Sequence, residues 1–292
     1  MRAALVRLTL RVLSRLPLPV LHRMGDVLGR SLMWFANDLR DTARTNIQRC
    51  FPRWDEARQQ QLVLQSLQQT ARATLETGVL WLRPTDQVLA LVKKVSGEEL
   101  LAQAMARGKG VILAAPHIGA WEIVGVYGST HWPMTSLYRP PRQAYLNDLI
   151  RTGRERAGAT LVPTDASGIR ALYKALGRGE LIGILPDQDP DRDAGVFAPL
   201  FGIQANTMTL LSRLASKTGA TVLMAYAERL PKGQGYHLHF EATDTALTEG
   251  DATQKATALN QAVERCALQH PEQYQWAYKR FKTRPEGEGR FY

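Results

Sequence analysis

The sequence predicts an α/β fold: a mixed, partly parallel central sheet flanked by helices, with a helical N-terminal region ahead of it. Two observations carry that expectation. From residue 108 onward, short β-rich runs alternate with helix-length stretches, which is how a sheet with parallel strands covered by helices reads in sequence. Upstream, apolar residues recur at intervals of three and four, the helical period. At 292 residues the chain is long enough to bury a large core, so size does not constrain the fold.

Residues 1–37 form the first part and residues 38–292 the main domain. In the first part Arg2, Arg7, Arg11 and Arg15 stand among Leu5, Val6, Leu8, Leu10, Val12, Leu13 and Leu16. On a helix the last three arginines make one basic stripe beside a wide leucine and valine face. That pattern suits a helix lying in a membrane interface, its arginines at anionic headgroups. The segment from Leu28 to Ala36, with Trp34 and Phe35, adds aromatic surface of the same kind. The alternative is an amphipathic helix packed on its own domain. No apolar run of about eighteen residues is present, so a spanning helix is not expected. Arginines also interrupt the stretch where the apolar region of a secretory signal would lie.

Residues 38–92 read as mostly helical, with a long helix over 59–82 stopped by Pro84. Strands are expected at 110–115, 135–138, 160–162, 181–185, 221–227 and 237–241. Helices are expected at 120–128, 144–157, 167–176, 207–218 and 256–267. The last two strands, joined through Pro231 to Gly235, read as an antiparallel hairpin at one side.

Lys plus Arg total 37 against 27 for Asp plus Glu, a net charge of +10. Such a surface attracts polyanions: nucleic acid, anionic lipid or an acidic carrier protein. The two cysteines, Cys50 and Cys266, are far apart and lack a CxxC or Cys/His cluster, which argues against a disulfide framework or a zinc site and for a reducing compartment.

The chemistry is expected where the apolar run Val111 to Leu113 meets Ala114-Ala-Pro-His117-Ile-Gly-Ala-Trp-Glu122 at a strand-to-helix turn. Strand ends in α/β proteins expose side chains on a backbone that the sheet fixes. Acyl transfer to a hydroxyl needs a base and a group that orients it, and His117 with Glu122 supplies both types. Five residues on one continuous helix separate two side chains by about 140°. The pair therefore requires His117 before the helix and Glu122 in its first turn, which Gly119 permits. No G-x-S-x-G nucleophile motif stands nearby, favouring direct transfer without a covalent enzyme intermediate.

His117-Ile-Gly-Ala-Trp-Glu122 resembles the H-x-x-x-x-[D/E] motif of the lysophospholipid acyltransferase superfamily, and more closely the H-x-G-N-W-E form of the bacterial lipid A late acyltransferases. Tyr138-Arg-Pro140, Arg154-x-Arg156-x-Gly158, Gly183 to Asp189, Gly195-Val-Phe197, Phe201-Gly202 and Ala215 to Ala220 stand in that family's order, and the resemblance spans about residues 1–285. Ala120 departs from the family's usual Asn. The resemblance implies a glycerolipid-acyltransferase-like fold and an enzyme at the cytoplasmic face of the bacterial inner membrane. It would move a fatty acyl chain from acyl carrier protein to a hydroxyl of a lipid A precursor, with His117 as base and Glu122 orienting it. Arg139, Arg154, Asp187, Gln188 and Asp189 would bind substrate, with no cofactor beyond the acyl-carrier co-substrate. Two alternatives remain open: another membrane lipid as acceptor, such as a lysophospholipid or amino-acid lipid, and a non-catalytic basic module binding membrane or nucleic acid.

Other constellations read more plainly. Arg139, Arg142, Arg151, Arg154 and Arg156 suit phosphate recognition but also a solvated helix face, with Arg154 set apart by its motif. Without the resemblance, Pro186 to Asp189 is a polar turn. Asp189, Asp191 and Asp193 begin like a calcium loop, yet Gly195 falls one place late and Leu200 stands where the terminal glutamate belongs. His237 and His239 share one strand face; two histidines without further ligands do not make a metal site, and none is expected. The tail from Tyr274 to Pro285 interleaves aromatics with cations, but no nucleic-acid module accompanies it, and nucleic acid is not an expected partner.

Overall fold

The structure, a computed structural model, describes residues 2–141 and 143–292; Arg142, one of the clustered arginines, lies outside the described residues, as do the side chains of Arg2, Ala144 and Tyr145. Four helices open the chain: α1 (Arg2–Arg15), α2 (Leu18–Ser31), α3 (Asp38–Cys50) and the long α4 (Glu56–Leu82). Side-chain caps start two of them, Asn37 accepting from the Arg40 N–H and Asp55 from the Arg58 N–H. The short α5 (Thr85–Leu89) leads into β1 (Val92–Ser96), and α6 (Glu98–Ala106) into β2 (Val111–Ala114). Then follow α7 (Glu122–His131), β3 (Met134–Tyr138), α8 (Ala144–Glu155), β4 (Thr160–Pro163), α9 (Ala166–Gly177) and β5 (Leu181–Ile184). A hairpin of β6 (Gly195–Leu200) and β7 (Ile203–Met208) precedes α10 (Leu210–Thr218), β8 (Thr221–Arg229), β9 (Tyr236–Ala242) and α11 (Ala252–Gln269).

Seven strands form one sheet in the order β1-β9-β8-β2-β5-β3-β4. All neighbours are parallel except β8 with β9. The expected fold class thus holds in its α/β character and mostly parallel sheet. β2 lies between β8 and β5, and all four of its residues are buried. Its alternation divides the core: Ile112 and Ala114 join the cluster under α9, α10 and α11, while Val111 and Leu113 join the one under α6 and α7. The expected hairpin of the last two strands is present, but β1 pairs outside β9 and takes the sheet edge. The helix expected from residue 207 begins at Leu210, because Thr207 and Met208 complete the β6–β7 ladder opposite Val196 and Gly195. Phe201 and Gly202, both at positive φ, close that hairpin in two residues.

The N-terminal helices pack on α4. Gly25 and Gly29 bring α2 against its backbone so closely that a Cβ on Gly29 would sit 2.3 Å from the Gln68 Cα. Gly78 of α4 admits α1 in the same way, next to the Leu10 carbonyl. Arg83 donates to the Ser14 and Leu16 carbonyls at 2.6 and 2.7 Å, holding the α1–α2 turn. Beneath them, wholly buried Glu76 receives His22 Nε2 at 2.5 Å and Arg229 Nε at 2.8 Å, joining α2, α4 and β8. Among the described residues no helix is long and apolar enough to cross a membrane.

Candidate active site

The site forms where two central strands end. β2 and β5 run parallel with Ala114 opposite Ile184, so His117 and Asp187, each three residues further on, emerge side by side. The buried Asp187 carboxylate accepts the His117 backbone N–H at Oδ2 and the ring Nδ1–H at Oδ1, both at 2.8 Å. Burial pushes the Asp187 pKa up, but the His117 ring and its hydrogen bonds outweigh burial and hold the carboxyl below the usual aspartate range. An ionised Asp187 only accepts, so Nδ1 carries a proton, and in the neutral imidazole the lone pair is then on Nε2. Gln188 places its side-chain amide nitrogen 3.1 Å from that Nε2.

The turn carrying His117 is fixed from the other side. The Gly119 and Ala120 N–H groups donate to the carbonyls of Gln273 and Ala227 at 3.0 and 2.8 Å, and Gln275 N–H donates to the His117 carbonyl at 3.1 Å. Gly119 has φ +56°, and a Cβ there would meet the Ala227 oxygen at 2.0 Å, so the turn requires glycine.

The expectation that Glu122 orients the His117 ring is corrected by this geometry. Glu122, the first residue of α7, instead receives Arg154 of α8: Nε at 2.9 Å to Oε2 and 3.2 Å to Oε1, with Nη2 also on Oε1. The physical reason is strand register. The neighbouring strand β5 delivers a carboxylate directly beside His117, whereas Glu122 sits past the turn, facing α8. Asp187, expected to bind substrate, is the carboxylate that contacts the His117 ring.

The other expected residues divide. Arg139 pairs with Asp191 at 3.1 Å on the exposed rim. Asp189 is committed to the framework: its carboxylate accepts from Asn206 Nδ2 at 3.1 Å, from the Thr283 N–H at 3.1 Å and from the Thr283 hydroxyl at 2.7 Å. Of the clustered arginines, Arg151 bonds Glu155 within α8 and Arg156 donates to the Leu80 carbonyl. The aromatic tail packs inward, with Tyr274, Trp276 and Phe281 buried.

Cavities open around this centre. One of about 390 Å³ is bordered by His117, Leu137, Arg139, Arg154, Gln188 and Met208. A second of about 320 Å³ lies between the turn after His117 and α4, lined by Thr74, Trp81, Trp121, Glu122, Arg154 and Gln275. A narrow apolar void of about 70 Å³ runs behind them among Trp81, Leu113, Val124, Met134 and Leu161. Arg154 borders all three, clamped by Glu122.

A histidine whose Nδ1 is held by a buried carboxylate, bordering a cavity with leucine and arginine in its lining, is an arrangement that general-base chemistry on an α/β scaffold uses. The family is reached by sequence: the profile of the bacterial lipid A biosynthesis acyltransferases matches residues 2–283, and the chain belongs to that family. It is 31% identical over 274 residues to the lipid A biosynthesis lauroyltransferase of Escherichia coli (strain K12), covering 94% of this chain and 89% of that relative. Identity to the palmitoleoyltransferase of the same organism is 30% over 285 residues, covering 95% and 90%. Identity to its myristoyltransferase is 25% over 271 residues, covering 92% and 82%.

Proposed function

We propose that this protein transfers a fatty acyl chain from acyl carrier protein to a hydroxyl of a lipid A precursor at the cytoplasmic surface of the bacterial inner membrane. The observation that carries the chemistry is the His117–Asp187 pair. His117 Nε2 removes the acceptor hydroxyl proton as the oxygen attacks the thioester carbon. Asp187 holds the ring and stabilises the imidazolium. When the tetrahedral intermediate collapses, the C–S bond breaks and the imidazolium returns its proton to the leaving thiolate. The Gln188 amide, 3.1 Å from Nε2, turns from that nitrogen when the acceptor hydroxyl binds and is then a candidate donor to the developing oxyanion. Arg154, braced by Glu122 at the junction of the cavities, is suited to a phosphate of either substrate.

The surface supports the location. Leu5, Leu8 and Val12 of α1, Val20, Met24, Val27 and Leu28 of α2, and Trp34, Phe35 and Leu39 beyond it are exposed. They lie together in sequence with Arg7, Arg11, Arg15, Arg23 and Arg30, also exposed. An apolar surface bordered by arginines fits an anionic bilayer, and residues 1–37 would supply it. One helix further in, α4 carries these helices and lines the 320 Å³ cavity with Thr74 and Trp81, which supports access to the site from that surface. The net charge of +10 also suits an acidic carrier protein.

The acceptor is tested by offering purified enzyme labelled acyl-carrier protein with either a lipid A precursor or a lysophospholipid. Label is expected on the lipid A precursor and absent after His117→Ala. Label on the lysophospholipid alone would replace the acceptor, and transfer unchanged by His117→Ala would remove the centre.

A further inference from the structure

A second cluster of chemistry-bearing side chains lies on the other side of the strand that buttresses the catalytic turn. The antiparallel register of β8 and β9 sets Glu228 opposite His237 and Tyr226 opposite His239, and the two-residue period puts all four on one sheet face. The chain after α11 then brings His270 over them. Three imidazole nitrogens converge on one oxygen: Glu228 Oε2 lies 3.4 Å from His237 Nδ1, 3.3 Å from His239 Nε2 and 3.6 Å from His270 Nε2.

These separations exceed the usual range of N–H···O hydrogen bonds, about 2.7–3.2 Å. They match something else. In a tetrahedral zinc site with bonds of about 2.0–2.1 Å, neighbouring ligand atoms stand about 3.3–3.5 Å apart. The ligand atoms of Glu228, His237 and His239 all lie within 4.8 Å of one another. Each of the four side chains retains some solvent access, between 13% and 20%, so an ion can enter.

The supporting layer is also that of a metal site. Ser96 Oγ hydrogen-bonds His237 Nε2 at 2.8 Å, which leaves Nδ1 as the free lone pair facing the cluster when Nε2 carries the proton. His239 stacks on Tyr226, with centroids 4.6 Å apart and planes 8° from parallel. Tyr226 is held in turn by Glu241 and Gln269 at 2.8 and 3.0 Å. Ring planes are thereby fixed, as metal ligands require.

We propose that Glu228, His237 and His239 bind a divalent transition ion of the zinc type, with His270 next to Glu228 outside the ligand set. Its place in the fold assigns it a clamping role. The segment after His270 holds the catalytic turn, through the Gln273 carbonyl on Gly119 N–H and the Gln275 N–H on the His117 carbonyl, while Ala227 of β8 holds Ala120. An ion bridging β8 and β9 fixes Glu228, which faces His270 at 3.6 Å, and so steadies both supports of that turn. It makes no contact with substrate and takes no part in the transfer step.

The test uses the full-length, untagged protein, stripped with chelator and titrated with ZnCl2 against a chromogenic competitor, then with CoCl2 to read coordination. The expectation is one equivalent of zinc per chain, intense visible d–d absorption of tetrahedral cobalt, and a higher Tm on loading. His239→Gln and Glu228→Gln each weaken zinc by about tenfold or more, on the scale by which even outer partners of metal ligands matter. Ser96→Ala, which leaves the ligands intact, weakens it by a smaller factor. Absence of saturable uptake by the wild-type chain overturns the proposal whether or not the variants fold. Uptake unchanged in both ligand variants, or an octahedral cobalt spectrum, overturns it equally.

Discussion

At the residue scale, Arg154 and His117 show how neighbours define a side chain's use. Arg154 meets Glu122 through a fork, and its remaining exposure faces the cavities. Lysine offers one compact charge and cannot reproduce that bidentate contact. Arg154→Lys is therefore expected to raise KM for the phosphate-bearing substrate by about tenfold, the equivalent of about 1.4 kcal/mol, with a smaller change in kcat. Steady-state kinetics with both substrates varied separates the two parameters; a loss confined to kcat would place Arg154 in the chemical step instead. His117 was legible in the sequence because an apolar run ended in a histidine at a strand-to-helix turn. Its partner was not, since the choice between Glu122 and Asp187 depends on which strand lies beside β2 and in what register, a long-range property. His237 and His239 were likewise legible as a same-face pair, while Glu228 and His270 join them only through the hairpin and the end of α11.

At the scale of elements, the buried His22–Glu76–Arg229 triad fastens the N-terminal helices to the sheet. Burial pushes the Glu76 pKa up, yet Arg229 and His22 outweigh it and hold the carboxyl below the ordinary glutamate range. Because the folded value is the lower one, Glu76 contributes stability that is fully present above the unfolded value of about 4.3 and is lost as pH falls through the folded value. Arg229→Met leaves that charge short of its main partner and is expected to cost about 3–5 kcal/mol by denaturant unfolding at neutral pH. Adding Glu76→Gln should recover part of the loss; a double variant no more stable than the single would show that the triad does not act as a unit. The elements themselves were read well where apolar runs were fully buried, as in β2 and β5. The edge strand β1, Val92-Lys-Lys-Val-Ser96, escaped notice because its central lysines are exposed and its pattern is half polar. The β6–β7 hairpin was hidden by Pro199 and Asn206, residues that weaken a strand signal.

For the whole molecule, the proposed orientation toward an anionic bilayer draws on the basic charge and the exposed apolar N-terminal face. Trp34 and Phe35 are 75% and 65% exposed and so carry much of that surface. Replacing both with serine removes two large apolar side chains worth about 1.5–3 kcal/mol each when fully buried. Partial insertion then predicts that flotation with anionic vesicles weakens by about tenfold or more, while transfer to a detergent-solubilised acceptor persists. Unaltered flotation would assign the surface to a protein partner.

The proposed chemistry depends most on Asp187 as the carboxylate that makes His117 a base. The direct measurement is the turnover of Asp187→Asn in acyl transfer from acyl carrier protein to a lipid A precursor, with folding checked by thermal unfolding. The expected result is a kcat lower by about 10³–10⁴-fold at nearly unchanged KM, as when a triad aspartate is replaced by its amide. A kcat within a few-fold of wild type, alongside a much larger loss in Glu122→Gln, would contradict it and return the orienting role to Glu122.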